Sequence, residues 1–377
     1  MKDLSIYIHI PFCDHKCIYC DFYSIINYSG VETYREALLR EIKIQGAKYS
    51  EGRLVHSIFF GGGTPSFMTP EYIGDIINEL RRNFSISEDC EITMETNPGT
   101  VDRIKLEGFR EAGINRISIG IQSFDENELK FLTRIHDSAT AIKTVNLAFE
   151  SGYKDISIDL IFNLPGQDKN KWLENLTTAA SLPITHISAY SLILEKGTIL
   201  NKMVLDGKVN MQDADFDAEL YSSTISFLRE NGFEQYEVSN FAKPGFQCYH
   251  NKIYWEYGDY LGFGTSAHSF MDGRRFWNFS SLTFYNEAVK AKDSAEAGFE
   301  ILTENEKKEE YVMLALRSSG IKINKLPSFF NNSDFEYIIK RVKQLSIERY
   351  FTITPGLIAL NEAGYAVGDE IITELLL

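Results

Sequence analysis

Short β-branched runs alternate with amphipathic stretches through the first half of the chain, and this alternation constrains the fold more than any other feature. SIYIHI (5–10), HSIFF (56–60), CEITMET (90–96), RISIGIQ (116–122), DISIDLIF (155–162) and HISAYSLI (186–193) are each followed by a segment with helical apolar spacing, such as ETYREALLREIKIQ or PEYIGDIINELRRNF. Strands separated by helices are read as parallel, joined by right-handed crossovers. The chemically unusual residues all fall at strand C-terminal ends: a cysteine-rich loop, GGGTPS, Glu95, Gln122 and Asp159. Barrel enzymes assemble their sites at that end. Six units rather than eight predict an α/β fold built on an incomplete, TIM-like (β/α)6 open barrel. A doubly wound Rossmann sheet is the alternative.

Beyond the sixth unit the pattern changes. A long amphipathic helix is predicted near 213–231, then an aromatic-rich region and a charged helix start, LTENEKKEEYVMLALRSSG. The expected division is a partial barrel over 1–235, an aromatic-rich connecting segment over 236–300 that contains HNKIYW, and a small C-terminal domain over 301–377. That last part reads as mostly helical and winged-helix-like, ending in a hairpin, FTITPGLIALNEAGYAV.

The formal charge of −15 disfavours wrapping a phosphate backbone, so no nucleic-acid partner is expected. The apolar run near the N-terminus is only about six residues long, too short for a signal peptide or a membrane-spanning anchor. The expected location is cytoplasmic, with peripheral membrane contact left open. Five cysteines make an odd and sparse set that argues for reduced thiols rather than a disulfide framework. Cys90 reads as a small buried apolar residue.

Three of the five, Cys13, Cys17 and Cys20, lie within CDHKCIYC. Soft sulfur donors at this spacing select zinc, copper(I) or an iron–sulfur cluster. A structural zinc would need a fourth ligand, for which His9 or His15 would serve. A [4Fe-4S] cluster held by only three cysteines keeps one iron open, and that position suits chelation by the amino and carboxylate groups of S-adenosylmethionine. Tyr19 sits between the last two cysteines. Gly61, Gly62 and Gly63, followed by Thr64, leave backbone groups bare for a ligand. Glu95, Gln122, Arg134 and Asp159 are candidate hydrogen-bonding partners for ribose and carboxylate, with Arg134 suited to an anion. In spacing and order these features resemble the radical-SAM superfamily.

PFCDHKCIYCDF, FFGGGTPS, ETNPGT, GIQSFDENELKFLTRIH, IDLIFNLPGQ and HNKIYW together resemble the anaerobic coproporphyrinogen III dehydrogenase family, and more closely its HemW heme-chaperone branch, over essentially the whole chain. The resemblance implies that Cys13, Cys17 and Cys20 bind a [4Fe-4S] cluster. It implies that Tyr7, Gly62, Gly63, Thr64, Glu95, Gln122, Arg134 and Asp159 line the S-adenosylmethionine site, with Tyr19 adjacent. The dehydrogenases carry one more cysteine two residues beyond the third ligand, where this chain has Phe22. Neutral imidazole is a good axial ligand for heme iron and aromatic faces stack on a porphyrin, so HNKIYW nominates His250, beside Tyr254 and Trp255, as the heme ligand. Cys248 and His268 are weaker candidates as cofactor neighbours. The expected function is to bind heme and deliver it to an unidentified acceptor apoprotein. Oxidative decarboxylation of coproporphyrinogen III is the alternative.

Overall fold

The computed structural model describes residues 1–376. Strands and helices alternate through the first part of the chain: β1 (Lys2–Ile10), α1 (Val31–Tyr49), β2 (Arg53–Gly62), α2 (Pro70–Asn83), β3 (Ile86–Thr96), α3 (Arg103–Ala112) and β4 (Arg116–Gln122). Two helices, α4 (Glu126–Phe131) and α5 (Ser138–Glu150), then lead to β5 (Asp155–Phe162), α6 (Lys169–Ala180) and β6 (His186–Ser191). Carboxylate or hydroxyl caps start most of these helices: the side chains of Thr69, Asp102, Asp125, Asp137 and Asp168 each accept a first-turn backbone N–H. Such caps satisfy N–H groups that the helix itself leaves unpaired.

β1 through β6 pair in parallel and in sequence order. A doubly wound sheet must reverse its strand order at a switch point. No reversal occurs here, so the sheet winds one way and curls toward a barrel. The chain continues through α7 (Ile199–Leu205), α8 (Ala214–Glu230), β7 (Glu234–Gln235) and β8 (Asn240–Ala242), and β8 covers the free edge of β6 antiparallel. After α9 (Tyr249–Trp255), β9 (Tyr260–Phe263) pairs with the free edge of β1. β10 (His268–Met271), β11 (Arg274–Asn278), α10 (Leu282–Lys292) and β12 (Glu296–Ile301) extend that side. The result is one twelve-stranded open sheet from β12 to β7. The segment 236–300 is thus part of the barrel sheet rather than a separate connector, because its strands satisfy the edges that an unclosed barrel leaves unpaired.

Alternation within the strands assigns the two faces. Ile6, Ile8 and Ile10, Ile58 and Phe60, and Ile117, Ile119 and Ile121 are buried in the main core. Their neighbours Ser5, Tyr7 and His9, Ser57, Glu91, Thr93 and Glu95, Arg116 and Ser118, Ser157 and Asp159, and His186 and Ser188 occupy the opposite face. The barrel therefore carries its apolar surface outward, under the helices, and a polar surface inward.

The C-terminal unit has its own core around Leu316, Val342, Ile358 and Leu375. It comprises α11 (Glu304–Leu316), β13 (Ile321–Lys322), α12 (Asn332–Gln344), the hairpin β14 (Phe351–Thr354) and β15 (Leu357–Leu360), α13 (Glu362–Tyr365) and α14 (Gly368–Leu376). β13 adds to the hairpin as a third strand, and two helices follow it.

The β9 side is tied down by one buried carboxylate. Glu41 on α1 accepts from Gly264 N at 2.8 Å, Asn278 Nδ2 at 2.7 Å and Tyr285 Oη at 2.7 Å. Burial pushes its pKa up to about 7, although the three donors pull it down. Glu41→Ala should cost about 3 kcal/mol or more in chemical denaturation, because three buried donors lose their acceptor. A folded pKa above the unfolded one means stability is fully present at low pH and lost as pH rises through about 4.5 to about 7. The melting temperature of the wild type relative to Glu41→Gln should accordingly fall between about pH 5 and about pH 8. A pH-independent difference would refute this assignment.

Candidate functional site

The cysteine loop leaves β1 and is held from several directions. Phe12 bridges to Ile25, with Cys13 N donating to Ile25 O at 2.9 Å and Ile25 N to Pro11 O at 2.8 Å. Thr64 N donates to Phe12 O at 2.8 Å and Leu200 N to Ile18 O at 2.9 Å. Thr133, in the left-handed region at φ 57°, presents Oγ1 to Ile18 N at 3.3 Å and to His15 Nε2 at 3.2 Å. All three thiols are free and half-buried.

Two polar groups reach the sulfurs. Thr64 Oγ1 lies 3.3 Å from Cys13 Sγ, and Arg134 Nη1 donates to Cys17 Sγ at 3.6 Å. Arg134 Nη2 also donates to Asn97 Oδ1 at 2.6 Å, and Asn97 Nδ2 to Thr64 Oγ1 at 2.8 Å. Arg134 Nε is buried without a partner. Tyr19 and Cys17 are the groups whose charge bears most on Arg134, and burial pushes the Tyr19 hydroxyl upward. Asn97 is a site residue that the sequence reading did not single out. Its signal was present in ETNPGT, where an Asn before Pro ends the third strand.

The glycines are required by space. A Cβ on Gly63 would stand 2.6 Å from Phe12 O, and one on Gly62, at φ +112°, would stand 2.6 Å from the His9 ring. One on Gly61 would meet Glu95 Oε2 and the Tyr7 ring, each at 3.1 Å. The bare backbone thus serves first to seat β2 against the cysteine loop and the ring of His9. Gly62 N donates to Glu95 Oε2 at 3.3 Å. Tyr7 Oη lies 3.1 Å from His9 Nδ1, and His9 Nε2 lies 2.9 Å from Tyr23 O, so both ring nitrogens of His9 are engaged. Gln122 bends out of β4 at φ 74° after a register shift beyond Gly120.

Glu95 and Asp159 are the carboxyl groups of the lumen. Burial, then the charge of Asp159, pushes Glu95 up to about 8, against the pull of the Gly62 N–H. Burial also raises Asp159, countered by the hydroxyls of Ser188 and Ser118 and the charges of Arg116 and Arg134. Two acceptor carboxylates, one guanidinium and half-buried sulfurs at one mouth can bind a ligand that carries both N–H or O–H donors and an anionic group.

His250 lies deeper in the barrel, its ring centroid 6.5 Å from that of Tyr7. Glu91 Oε2 accepts from Tyr249 N at 2.8 Å, and Glu91 Oε1 accepts from His250 N at 3.2 Å, which docks the start of α9 against the inner face of β3. The imidazole is 1% exposed and stacks on Phe59 at 5.1 Å. Its Nδ1 lies 2.9 Å from Ser57 Oγ and its Nε2 2.9 Å from Tyr254 Oη. In this structure neither nitrogen is free for iron, and α9 forms the floor of the barrel beneath the mouth. Cys248 is buried against Glu91 with its Sγ 3.4 Å from Oε1, and His268 is an exposed residue of β10.

The chain is similar to several known proteins. The model of the Radical SAM superfamily matches residues 7–179. The heme chaperone HemW of Bacillus subtilis is 32% identical over 97% of this chain and 97% of its own length. That of Haemophilus influenzae is 41% identical over 71% of this chain and 70% of its own length. In fold, the chain is similar to the radical SAM enzyme coproporphyrinogen III oxidase (HemN) of Escherichia coli, with TM-score 0.82, 23% identity, and coverage of 99% of this chain and 90% of that one.

Burial, two hydrogen bonds and stacking make the His250 ring part of the floor. His250→Ala should therefore lower stability by about 2–4 kcal/mol in urea with no heme present, through a cavity and two stranded hydroxyls. An unchanged midpoint would show that the floor does not depend on this ring.

Proposed function

The chain belongs to the radical SAM superfamily and, within it, to the family of the HemW heme chaperones, and from that premise we propose that it captures heme and passes it to an acceptor apoprotein. The observation that carries this reading is 32% identity to a heme chaperone across almost the full length of both chains, C-terminal unit included. Phe22 adds to it. Where the dehydrogenases carry a further cysteine, this chain exposes a phenyl ring that is 64% accessible. Ile26, Ile135 and Ile193 are also exposed on loops at the mouth end of the barrel. Large exposed apolar side chains gathered at one end mark a binding surface, and a porphyrin is a broad apolar ligand.

Membership of the superfamily implies a [4Fe-4S] cluster and S-adenosylmethionine, and the residues at the mouth fit both. Cys13, Cys17 and Cys20 would hold the cluster, with Arg134 and Thr64 supplying donors to its sulfurs. The stranded Arg134 Nε is a ready partner for a ligand carboxylate. Glu95 and Asp159 would accept from the amino and ribose groups, beside Tyr7, Tyr19, Gly62, Gly63 and Gln122. Together the two cofactors supply one-electron chemistry at a sulfonium centre. The protein's own part is to orient the ligand and to keep Glu95 and Asp159 in a desolvated lumen.

For heme, His250 would exchange a contact with Ser57 or Tyr254 for iron. Transfer requires a cargo site whose occupancy shifts on contact with the acceptor. A rim site meets that need more readily than a sealed one.

Anaerobically reconstituted protein titrated with hemin should develop a saturable Soret band. Incubated with coproporphyrinogen III and S-adenosylmethionine, it should yield no protoporphyrinogen IX. Cys17→Ala should lose the iron–sulfur absorbance. Decarboxylated product without any Soret change would replace this reading with the dehydrogenase one.

A further inference from the structure

Resting on the heme reading above, we propose that Ser57 holds the His250 ring by Nδ1–H, that iron takes the Nε2 lone pair, and that the Tyr254 hydroxyl is the group iron displaces on binding and that reclaims the lone pair on release. The two partners of the ring are not equivalent. Ser57 Oγ donates its one proton to Ser5 Oγ at 2.7 Å, so toward His250 Nδ1, 2.9 Å away, it can only accept. Nδ1 therefore carries a proton. Burial, then the charge of Arg116, lowers the His250 pKa to about 3, so the ring is neutral and that proton is its only one. Nε2 is left with the lone pair, and Tyr254 Oη, 2.9 Å away, donates to it. Burial raises the Tyr254 hydroxyl well above its ordinary value, which keeps it a donor.

Only one of these contacts can open without disturbing the barrel. Ser5 and Ser57 face each other across the β1–β2 register and both are fully buried, so neither can withdraw unless two paired strands move. Tyr254 lies one turn beyond His250 on the same helix, with its ring edge-on to His250 at 5.0 Å and to Tyr260 at 4.6 Å. Its hydroxyl can leave Nε2 by side-chain rotation alone, while Glu91 still holds the backbone at the start of α9. A coordinate bond from Nε2 to ferric iron then replaces the O–H···N bond; the phenol keeps its proton and no electron is transferred. The Ser57 contact persists, fixes the tautomer and raises the basicity of the ligating nitrogen. A buried lone pair left without any partner costs more than an ordinary hydrogen bond contributes. Tyr254 removes that cost when iron departs. Iron and hydroxyl thus compete for one lone pair, which gives a buried ligand the reversibility that transfer requires.

Two measurements on the full chain test this. In heme-free protein with isotope-labelled histidine, nitrogen NMR should place the His250 ring proton on Nδ1, the signal being assigned by its shift in Tyr254→Phe. A proton on Nε2 overturns the assignment with no heme present. The second measurement is a hemin titration of wild type, Tyr254→Phe, Ser57→Ala and Ser57→Thr, with folding followed by circular dichroism. Tyr254→Phe deletes the competing hydroxyl, so it should bind hemin about two- to tenfold more tightly and pass it more slowly to apomyoglobin. Ser57→Ala should bind about tenfold more weakly and raise the heme reduction potential, and Ser57→Thr should restore both. A purely structural serine would change stability and leave the potential alone. If Ser57→Ala fails to fold, Tyr254→Phe and the NMR spectrum decide. Wild type and variants binding hemin with one affinity and one potential would overturn the roles of Ser57 and Tyr254 while heme binding stands. If the wild type shows no Soret change, the heme reading falls and this one with it.

Discussion

A barrel whose inward positions are serines, carboxylates, histidines and an arginine must find a partner for each of them. That requirement organises the rest of the molecule. The floor meets it from within: Ser57 Oγ donates to Ser5 Oγ at 2.7 Å and meets His250, Ser157 Oγ meets His186, and Glu91 receives the start of α9. Arg116 Nε lacks a hydrogen bond yet faces Asp155 Oδ1 at 3.5 Å. α9 is accordingly fixed by polar complementarity rather than by apolar packing alone. An unpartnered polar group in this low-dielectric setting costs more than it would in water, which makes the floor strongly specified.

The mouth shows the opposite balance. Burial, then the charge of Asp159, raises Glu95 in a desolvated lumen, and Arg134 keeps one buried N–H without an acceptor. These are costs that folding alone has no reason to retain, and perturbed groups of this kind gather at functional sites. A ligand with an amino group, hydroxyls and a carboxylate removes all three costs at once. The same end also carries half-buried thiols and exposed aromatic and aliphatic side chains. The floor is a structural network, and the mouth is a site whose hydrogen bonding is left incomplete by the protein.

Much of this was legible in the sequence. The strand–helix alternation gave six parallel strands, and the position of odd residues at strand ends selected the barrel, which the sequential order of β1 to β6 bears out. The cysteine spacing and GGGTPS likewise marked the mouth. What stayed hidden depends on contacts between distant segments. Nothing in SIYIHI or RISIGIQ says that the isoleucines face outward and the polar residues inward, because strand alternation fixes two faces without naming which one meets helices. The role of β9 to β12 was hidden for the same reason, since edge pairing is a property of the finished sheet. Asn97 lay within a quoted motif, yet only the fold reveals that it bridges Arg134 and Thr64.

HNKIYW illustrates how a motif and its geometry can point in different directions. A histidine beside tyrosine and tryptophan has the chemistry of a heme pocket, but the same chemistry suits a floor, where imidazole bridges two hydroxyls and aromatic rings fill the space below. Ser57 and Tyr254 take both nitrogens at 2.9 Å, while Glu91 holds the backbone at the start of α9.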